Sequence, residues 1–145
     1  ETNNVLKDGW LSTGDIGQFE NGYLKITDRK KDILITPGGD NISPVKIEND
    51  LIKIDFIEQA LVYGDNKPYL IALLVLSKDK KTIKEEIIYK EIEKINKNLS
   101  KIEKIKKFFV IKEQFTIENG MMTPTLKLKR YKIIKKYKNE FEKHY

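Results

Sequence analysis

The sequence contains no cysteine. That excludes a disulfide framework, a zinc–thiolate site and a cysteine nucleophile. It contains one histidine, His144, close to the C-terminal edge. A histidine-based metal cluster is therefore excluded, and a Ser-His-Asp triad is disfavoured. No apolar run approaches the ~18–20 residues needed to span a bilayer. The longest, Tyr69 to Leu76, suits a buried strand. The opening Glu1-Thr2-Asn3-Asn4 is acidic and polar, so it does not read as a signal peptide. These absences predict a cytoplasmic chain.

What is present is an ordinary soluble balance: 145 residues, 39% hydrophobic and 34% charged. The length suits one compact domain, or a small domain with a tail. The net charge of +6 is unevenly placed. Residues 1–77 hold 8 Lys+Arg against 12 Asp+Glu, and residues 78–145 hold 20 against 10. A basic half points to anionic partners such as nucleotide phosphates, nucleic acid or a lipid surface. The competing reading is a solvated Lys/Glu face on ordinary helices.

Periodicity predicts an α+β fold: a small mixed sheet with helices packed on it, preceded by a short hairpin. Residues 1–8 read as a loose segment. Phe19 to Ile26 reads as a hairpin turning at Asn21-Gly22, the dipeptide suited to a two-residue turn with φ > 0. Asp32 to Thr36 reads as a short strand stopped by Pro37-Gly38-Gly39. Ser43-Pro44 opens a helix, with Ser as N-cap and Pro as first helical residue. Ile57 to Tyr63 and Tyr69 to Leu76 read as strands covered by helices. Ile83 to Leu99 is an amphipathic helix. A shorter helical stretch is expected at Lys101 to Ile105, then a strand at Lys107 to Lys112. A loop follows from Ile117 to Leu126, and a final helix from Lys129 to His144. Phe108, Phe109, Tyr131 and Tyr137 read as core positions.

Three constellations break this pattern. Gly9-Trp10-Leu11-Ser12-Thr13-Gly14-Asp15 places a carboxylate in a tight turn. An ionised Asp only accepts hydrogen bonds, so it suits both donors of a ribose; an Asx-type turn before a hairpin explains it equally. Thr27-Asp28-Arg29-Lys30-Lys31-Asp32, followed by Thr36-Pro37-Gly38-Gly39-Asp40-Asn41-Ile42-Ser43, crowds charge between two strands. Arg offers a planar fork of donors, and Gly-Gly admits a closely approaching ligand. A charged hairpin and a flexible connection are the alternative. No Gly-Lys-Ser/Thr follows, so this is not a P-loop. The third runs from Asn119 to Arg130. It sets Lys127 just before a helix, where its point charge can meet a polyanion, or where it is one lysine among many.

In this order the three stretches resemble the adenylate-forming superfamily, over residues 9–145. Trp10 to Asp15 is similar to its Thr-Gly-Asp motif, Ile26 to Asn49 to its hinge and first C-terminal motif, and Met122 to Arg130 to its last motif. Thr27 to Asn49, with Thr123-Pro124-Thr125-Leu126-Lys127-Leu128-Lys129-Arg130, resembles long-chain fatty acyl-CoA synthetases in particular. Peptide synthetase domains usually carry Gly where Leu126 stands.

The resemblance implies that Asp15 and Arg29 bind the ribose of ATP or AMP and that Lys31 is the hinge. It implies that Gly38 and Gly39 line the CoA pantetheine tunnel, that Glu48 is structural and that Lys127 is catalytic in acyl-adenylate formation. Asp40 would repel a phosphate and is not assigned to CoA. No metal ligand is expected in this chain; Mg²⁺ would belong to the large N-terminal domain. Residues 1–30 would be the end of that domain and the hinge, and residues 31–145 a mobile lid. Expected partners are that N-terminal domain, a fatty acid and CoA, with peripheral membrane association and no nucleic acid. The fragment by itself is expected to be inactive. The alternatives are a lid that loads a carrier-protein pantetheine and, in a different class, a basic module binding nucleic acid or membrane surfaces.

Overall fold

A computed structural model describes residues 6–80 and 82–145. The segment 1–5 of the expected loose start lies outside the described residues. The chain divides into two compact units, Glu1–Ile33 and Leu34–Tyr145.

The first unit is built from hairpins. β1 (Leu6–Lys7) pairs antiparallel with β2 (Trp10–Leu11). β3 (Asp15–Glu20) pairs antiparallel with β4 (Tyr23–Arg29), with a register shift between Ile16 and Gly17. The turn is Asn21-Gly22, with φ of 51° and 83°. Both central residues are left-handed, as a two-residue turn matched to strand twist requires.

The second unit opens with β5 (Leu34–Ile35) and β6 (Asn41–Ile42), an antiparallel pair. β5 is shorter than the strand expected at Asp32 to Thr36. The Asp32 N–H donates to the Arg29 carbonyl at 2.9 Å, which commits Asp32 to a turn. The expected breaker Pro37-Gly38-Gly39 reverses the chain directly into β6. α1 (Pro44–Leu51) follows, with the Ser43 Oγ accepting from the Lys46 N–H as its N-cap. β7 (Ile57–Tyr63), β8 (Leu70–Leu76) and β9 (Ile105–Ile111) form a sheet in that spatial order. β7 and β8 are antiparallel, β8 and β9 parallel. The parallel step is spanned by α2 (Glu85–Asn96), as a parallel pair requires a long crossover.

β8 explains why its sequence is apolar throughout: it is central and every residue is buried. Leu70, Ala72, Leu74 and Leu76 pack with Ile47 and Leu51 of α1 and Ile88 and Ile92 of α2. Ile71, Leu73 and Val75 pack with Leu61, Phe115, Met121, Ile133 and Phe141. Alternate side chains thus enter two cores, so no polar face remains on this strand.

Three further expectations are corrected. Lys101 to Ile105 is not helical. Ser100 donates from N and Oγ to Glu103, closing a turn, and Ile105 already begins β9. Its N–H and carbonyl are held by the side-chain amide of Asn96. The final helix is two helices, α3 (Arg130–Lys136) and α4 (Lys138–Glu142). They meet at Tyr137, whose φ of −100° and ψ of 17° leave the helical region. Its hydroxyl donates to Glu113, across from the break between the two helices. Tyr131 is not a core residue but 74% exposed, because the inward stripe of α3 is taken by Ile133.

Candidate functional site

In the first unit, Asp15 opens β3 and Arg29 closes β4, and the two are register partners. Arg29 Nε lies 2.7 Å from Asp15 Oδ1. The Asp15 N–H donates to Thr13 Oγ1, and the Lys30 N–H donates to the carbonyl of Gly14, whose φ is 74°. The Thr-Gly-Asp turn therefore directs its carboxylate to the arginine two strand-lengths later. Both residues proposed for ribose are brought together. A carboxylate acceptor and a guanidinium donor fork thus stand side by side, an arrangement that suits a vicinal diol.

Lys31 is exposed in the turn after β4, two residues before the boundary between the units at Ile33 and Leu34.

In the second unit, Gly38-Gly39 and Lys127 turn out to stand on the same kind of loop. In Thr36-Pro37-Gly38-Gly39-Asp40, the Gly39 N–H donates to the Thr36 carbonyl, and the Thr36 N–H to the Asp40 carbonyl, both at 2.9 Å. The Asp40 N–H donates to Thr36 Oγ1 at 3.0 Å. In Thr123-Pro124-Thr125-Leu126-Lys127, the Leu126 N–H donates to the Thr123 carbonyl at 2.9 Å and the Thr123 N–H to the Lys127 carbonyl at 2.8 Å. The Lys127 N–H donates to Thr123 Oγ1 at 3.0 Å. Gly39 has φ of 88° and Leu126 has φ of 60°. Each is a three-residue hairpin loop with a left-handed third residue. In each, the threonine hydroxyl closes the base. No hydrogen bond joins the two loops among the described residues.

The Lys127 loop is the tip of a small hairpin. Met122 and Leu128 form an antiparallel bridge, and the Lys129 N–H donates to the Met121 carbonyl at 2.7 Å. Lys127 is exposed, and no carboxylate pairs with it among the described residues. Leu126 beside it is 68% exposed. The lysine is thus a free cation on a short, hydrogen-bonded projection, suited to enter a site formed elsewhere and meet an anion.

One foot of this hairpin runs into Arg130, the first residue of α3. Arg130 Nη2 donates to both carboxylate oxygens of Glu48, at 2.8 and 2.7 Å. Its Nη1 donates to the Val62 carbonyl at 3.0 Å, and the Val62 N–H donates to Glu48 Oε1 at 2.6 Å. The Arg130 and Glu48 side chains are only 12% and 11% exposed. Val62 lies on β7, an edge strand of the sheet, so the pair satisfies backbone groups that an edge leaves open. Sequence reading took Glu48 as structural but missed its partner. The segment that leads into the hairpin is held by Gln59 of β7, whose side chain accepts from the Phe115 N–H at 2.7 Å and donates to the Phe115 carbonyl at 2.8 Å. The signal open to a sequence reader was the recurrence of Thr-Pro four residues before Asp40 and before Lys127.

Among the described residues, no group of three or more His, Cys, Asp or Glu side chains is placed to hold a metal ion. No helix of the described residues is long and apolar enough to cross a membrane.

Residues 31–145 match the family model described as the AMP-binding enzyme C-terminal domain. Long-chain-fatty-acid–CoA ligase 5 of Mus musculus is 38% identical over 169 residues, covering 100% of this chain and 25% of its own length. Long-chain-fatty-acid–CoA ligase FadD15 of Mycobacterium tuberculosis is 33% identical over 166 residues, covering 99% and 28%. The chain thus spans about a quarter of the length of these curated relatives. Among solved structures, the adenylation domain of a carboxylate reductase from Mycobacterium chelonae superposes with a TM-score of 0.89 at 26% identity. That match covers 99% of this chain and 24% of the other. A Mycobacterium tuberculosis fatty acyl CoA synthetase superposes with a TM-score of 0.61 at 28% identity, covering 94% and 26%.

Proposed function

This chain belongs to the AMP-binding enzyme C-terminal domain family, and from that premise we propose that it is the C-terminal part of an ATP-dependent long-chain fatty acid–CoA ligase. The whole enzyme joins a fatty acid to CoA through an acyl-AMP, releasing AMP and diphosphate. The substrate class follows the named activity of the curated relatives, which align with nearly the whole chain. The observation that carries the role of this part is Lys127: exposed, without a carboxylate partner among the described residues, at the tip of a hydrogen-bonded hairpin.

In the first half-reaction a carboxylate attacks the α-phosphate of ATP. Two anions must approach, so a fixed positive charge between them lowers the barrier. Lys127 supplies it by bridging carboxylate and phosphate; it orients and neutralises and forms no covalent bond. Asp15 accepts from the ribose hydroxyls while Arg29 donates to the same sugar. The second half-reaction, attack of the CoA thiol on the acyl-AMP, needs a path for pantetheine. Gly38 and Gly39 line it, since neither carries a side chain into the approach. Lys31 is the hinge about which residues 31–145 swing as a lid, presenting the Lys127 loop first and the Gly38-Gly39 loop second. Mg²⁺ and the acyl tunnel belong to the large N-terminal domain, the lid's principal partner. The enzyme works in the cytoplasm, peripherally at membranes that hold its fatty acid.

The test is Lys127→Ala in the full-length ligase, with the half-reactions measured separately. Adenylation should fall by ~10²–10³, while supplied acyl-AMP is still converted to acyl-CoA. Equal loss of both half-reactions would remove Lys127 from this role. A second reading keeps the same role for Lys127 but makes the acceptor a carrier-protein pantetheine instead of CoA. Release of the acyl group by CoA alone decides against it.

A further inference from the structure

Lys127 stands at the tip of its hairpin, and what aims it passes through the base of that hairpin. Both feet are held by the same strand. At the C-terminal foot, Arg130 is fixed to Glu48 of α1 and to the Val62 carbonyl of β7, three residues beyond Lys127. On the N-terminal side, Gln59 of β7 holds both backbone groups of Phe115, and the next carbonyl, that of Thr116, accepts from the Met121 and Met122 N–H groups at the foot itself. Gln59 also lies 3.6 Å from the Met122 sulfur, beside the Met122–Leu128 bridge. Between the feet, the backbone ladder runs from Lys129–Met121 to Lys127–Thr123 without interruption.

From this arrangement we infer that the Glu48–Arg130 pair and Gln59 are positioning residues for Lys127, gripping the adenylation hairpin to β7. The inference rests on the reading of Lys127 as the adenylation lysine. The pair's fork geometry matters beyond its charge. Two oxygens of Glu48 and one carbonyl of Val62 receive the guanidinium in a fixed plane, which a lysine ammonium cannot reproduce. A tilt at the foot is carried to the tip, and a misplacement of about 1 Å at a reacting group costs on the order of 10²-fold in rate. The Gly38-Gly39 loop does not depend on this grip. It is closed by its own Thr36 bonds, and α1 behind it is fixed by the fully buried Ile47 and Leu51.

The two half-reactions of the full-length ligase therefore separate positioning from mere folding, since both need the folded lid. In Arg130→Lys, the adenylation kcat should fall by about 10²-fold with little change in the ATP KM. Conversion of supplied acyl-AMP by the same preparation should stay within about twofold. Gln59→Ala, on the N-terminal side, should show the same split and serves if Arg130→Lys does not accumulate as folded protein. If both half-reactions fall together, or neither falls, the residues do not position Lys127. Lys127→Ala is the control: if it is inactive in adenylation while both foot variants remain fully active, this inference alone fails. If Lys127→Ala itself adenylates normally, the reading of the lysine fails and takes the inference with it.

Discussion

Asp15 and Arg29 face each other across the β3–β4 ladder, with Oδ1 and Nε 2.7 Å apart. Arg29 is largely solvated, so the pair adds little to stability, about 0–1 kcal/mol. What it does is hold an acceptor and a donor fork at one spacing. If Arg29 contacts the nucleotide as proposed, Arg29→Ala in the full-length protein should leave the melting temperature almost unchanged and weaken AMP binding about tenfold, the scale of one hydrogen bond to a charged group. Calorimetric titration with AMP checks it; unchanged affinity would remove Arg29 from the nucleotide site.

Lys31 lies in the turn that ends the first unit, just before the boundary at Ile33 and Leu34. A proline there fixes its own φ and restricts Lys30 before it. If the lid swings about Lys31, Lys31→Pro should still form acyl-AMP in a burst, with acyl-CoA lagging behind. Rapid-quench measurement of both species distinguishes this; normal acyl-CoA turnover would count against the hinge.

Gly39 and Leu126 hold the same left-handed position in two loops of one design, and so form an internal comparison. A side chain there costs about 1–2 kcal/mol, and only Gly39 avoids it. A Cβ on Gly39 would meet nothing within 4 Å, so the cost of Gly39→Leu comes from its φ rather than from crowding. That substitution should destabilise the chain by about 1–2 kcal/mol. Leu126→Gly should do the reverse, but by less, about 0.5–1 kcal/mol, because glycine also gains freedom in the unfolded chain. Urea unfolding of the two variants gives both signs; the same sign for both would refute the shared geometry.

Glu103 carries a pH signature. The Ser100 hydroxyl donates to its carboxylate at 2.7 Å and lowers its pKa below the ordinary 4.5, with the Ser100 N–H and Lys46 assisting against partial burial. The folded state therefore releases this proton more readily than the unfolded state. The resulting stabilisation is fully present above pH 4.5 and is lost as pH falls through the lowered value. The stability difference between the wild-type chain and Glu103→Gln should shrink as pH drops below 4.5. Chemical denaturation at neutral and acid pH measures it; a constant gap would show that Glu103 is not the group.

Much of the fold is legible where the signal is local. Ser43-Pro44 marks the start of α1, Asn21-Gly22 the β3–β4 turn, and the apolar run to Leu76 the central strand. The errors fall where a distant partner decides. Tyr137 looks like one more position on a helical face until Glu113 is brought within reach of its hydroxyl. Lys101 to Ile105 has helical composition, but Asn96 takes hold of the Ile105 backbone and starts a strand. Lys127 was distinguishable from the other lysines by its motif, whereas its freedom from a carboxylate partner was visible only in the fold.

By itself, the sequence determined the elements whose causes lie within a few residues: caps, turns, the amphipathic spacing of α2 and the apolar content of β8. It also placed the family motifs in order. The tertiary structure alone decided that Thr36 and Thr123 close two loops of the same design, and that Arg130 and Glu48, 82 positions apart, meet as a nearly buried pair on the edge of β7. The reason is physical. A turn or a cap is set by short-range sterics and hydrogen bonds, which composition records. The aim of Lys127 depends on burying charge and backbone polar groups together, and only the packed sheet determines which of them meet.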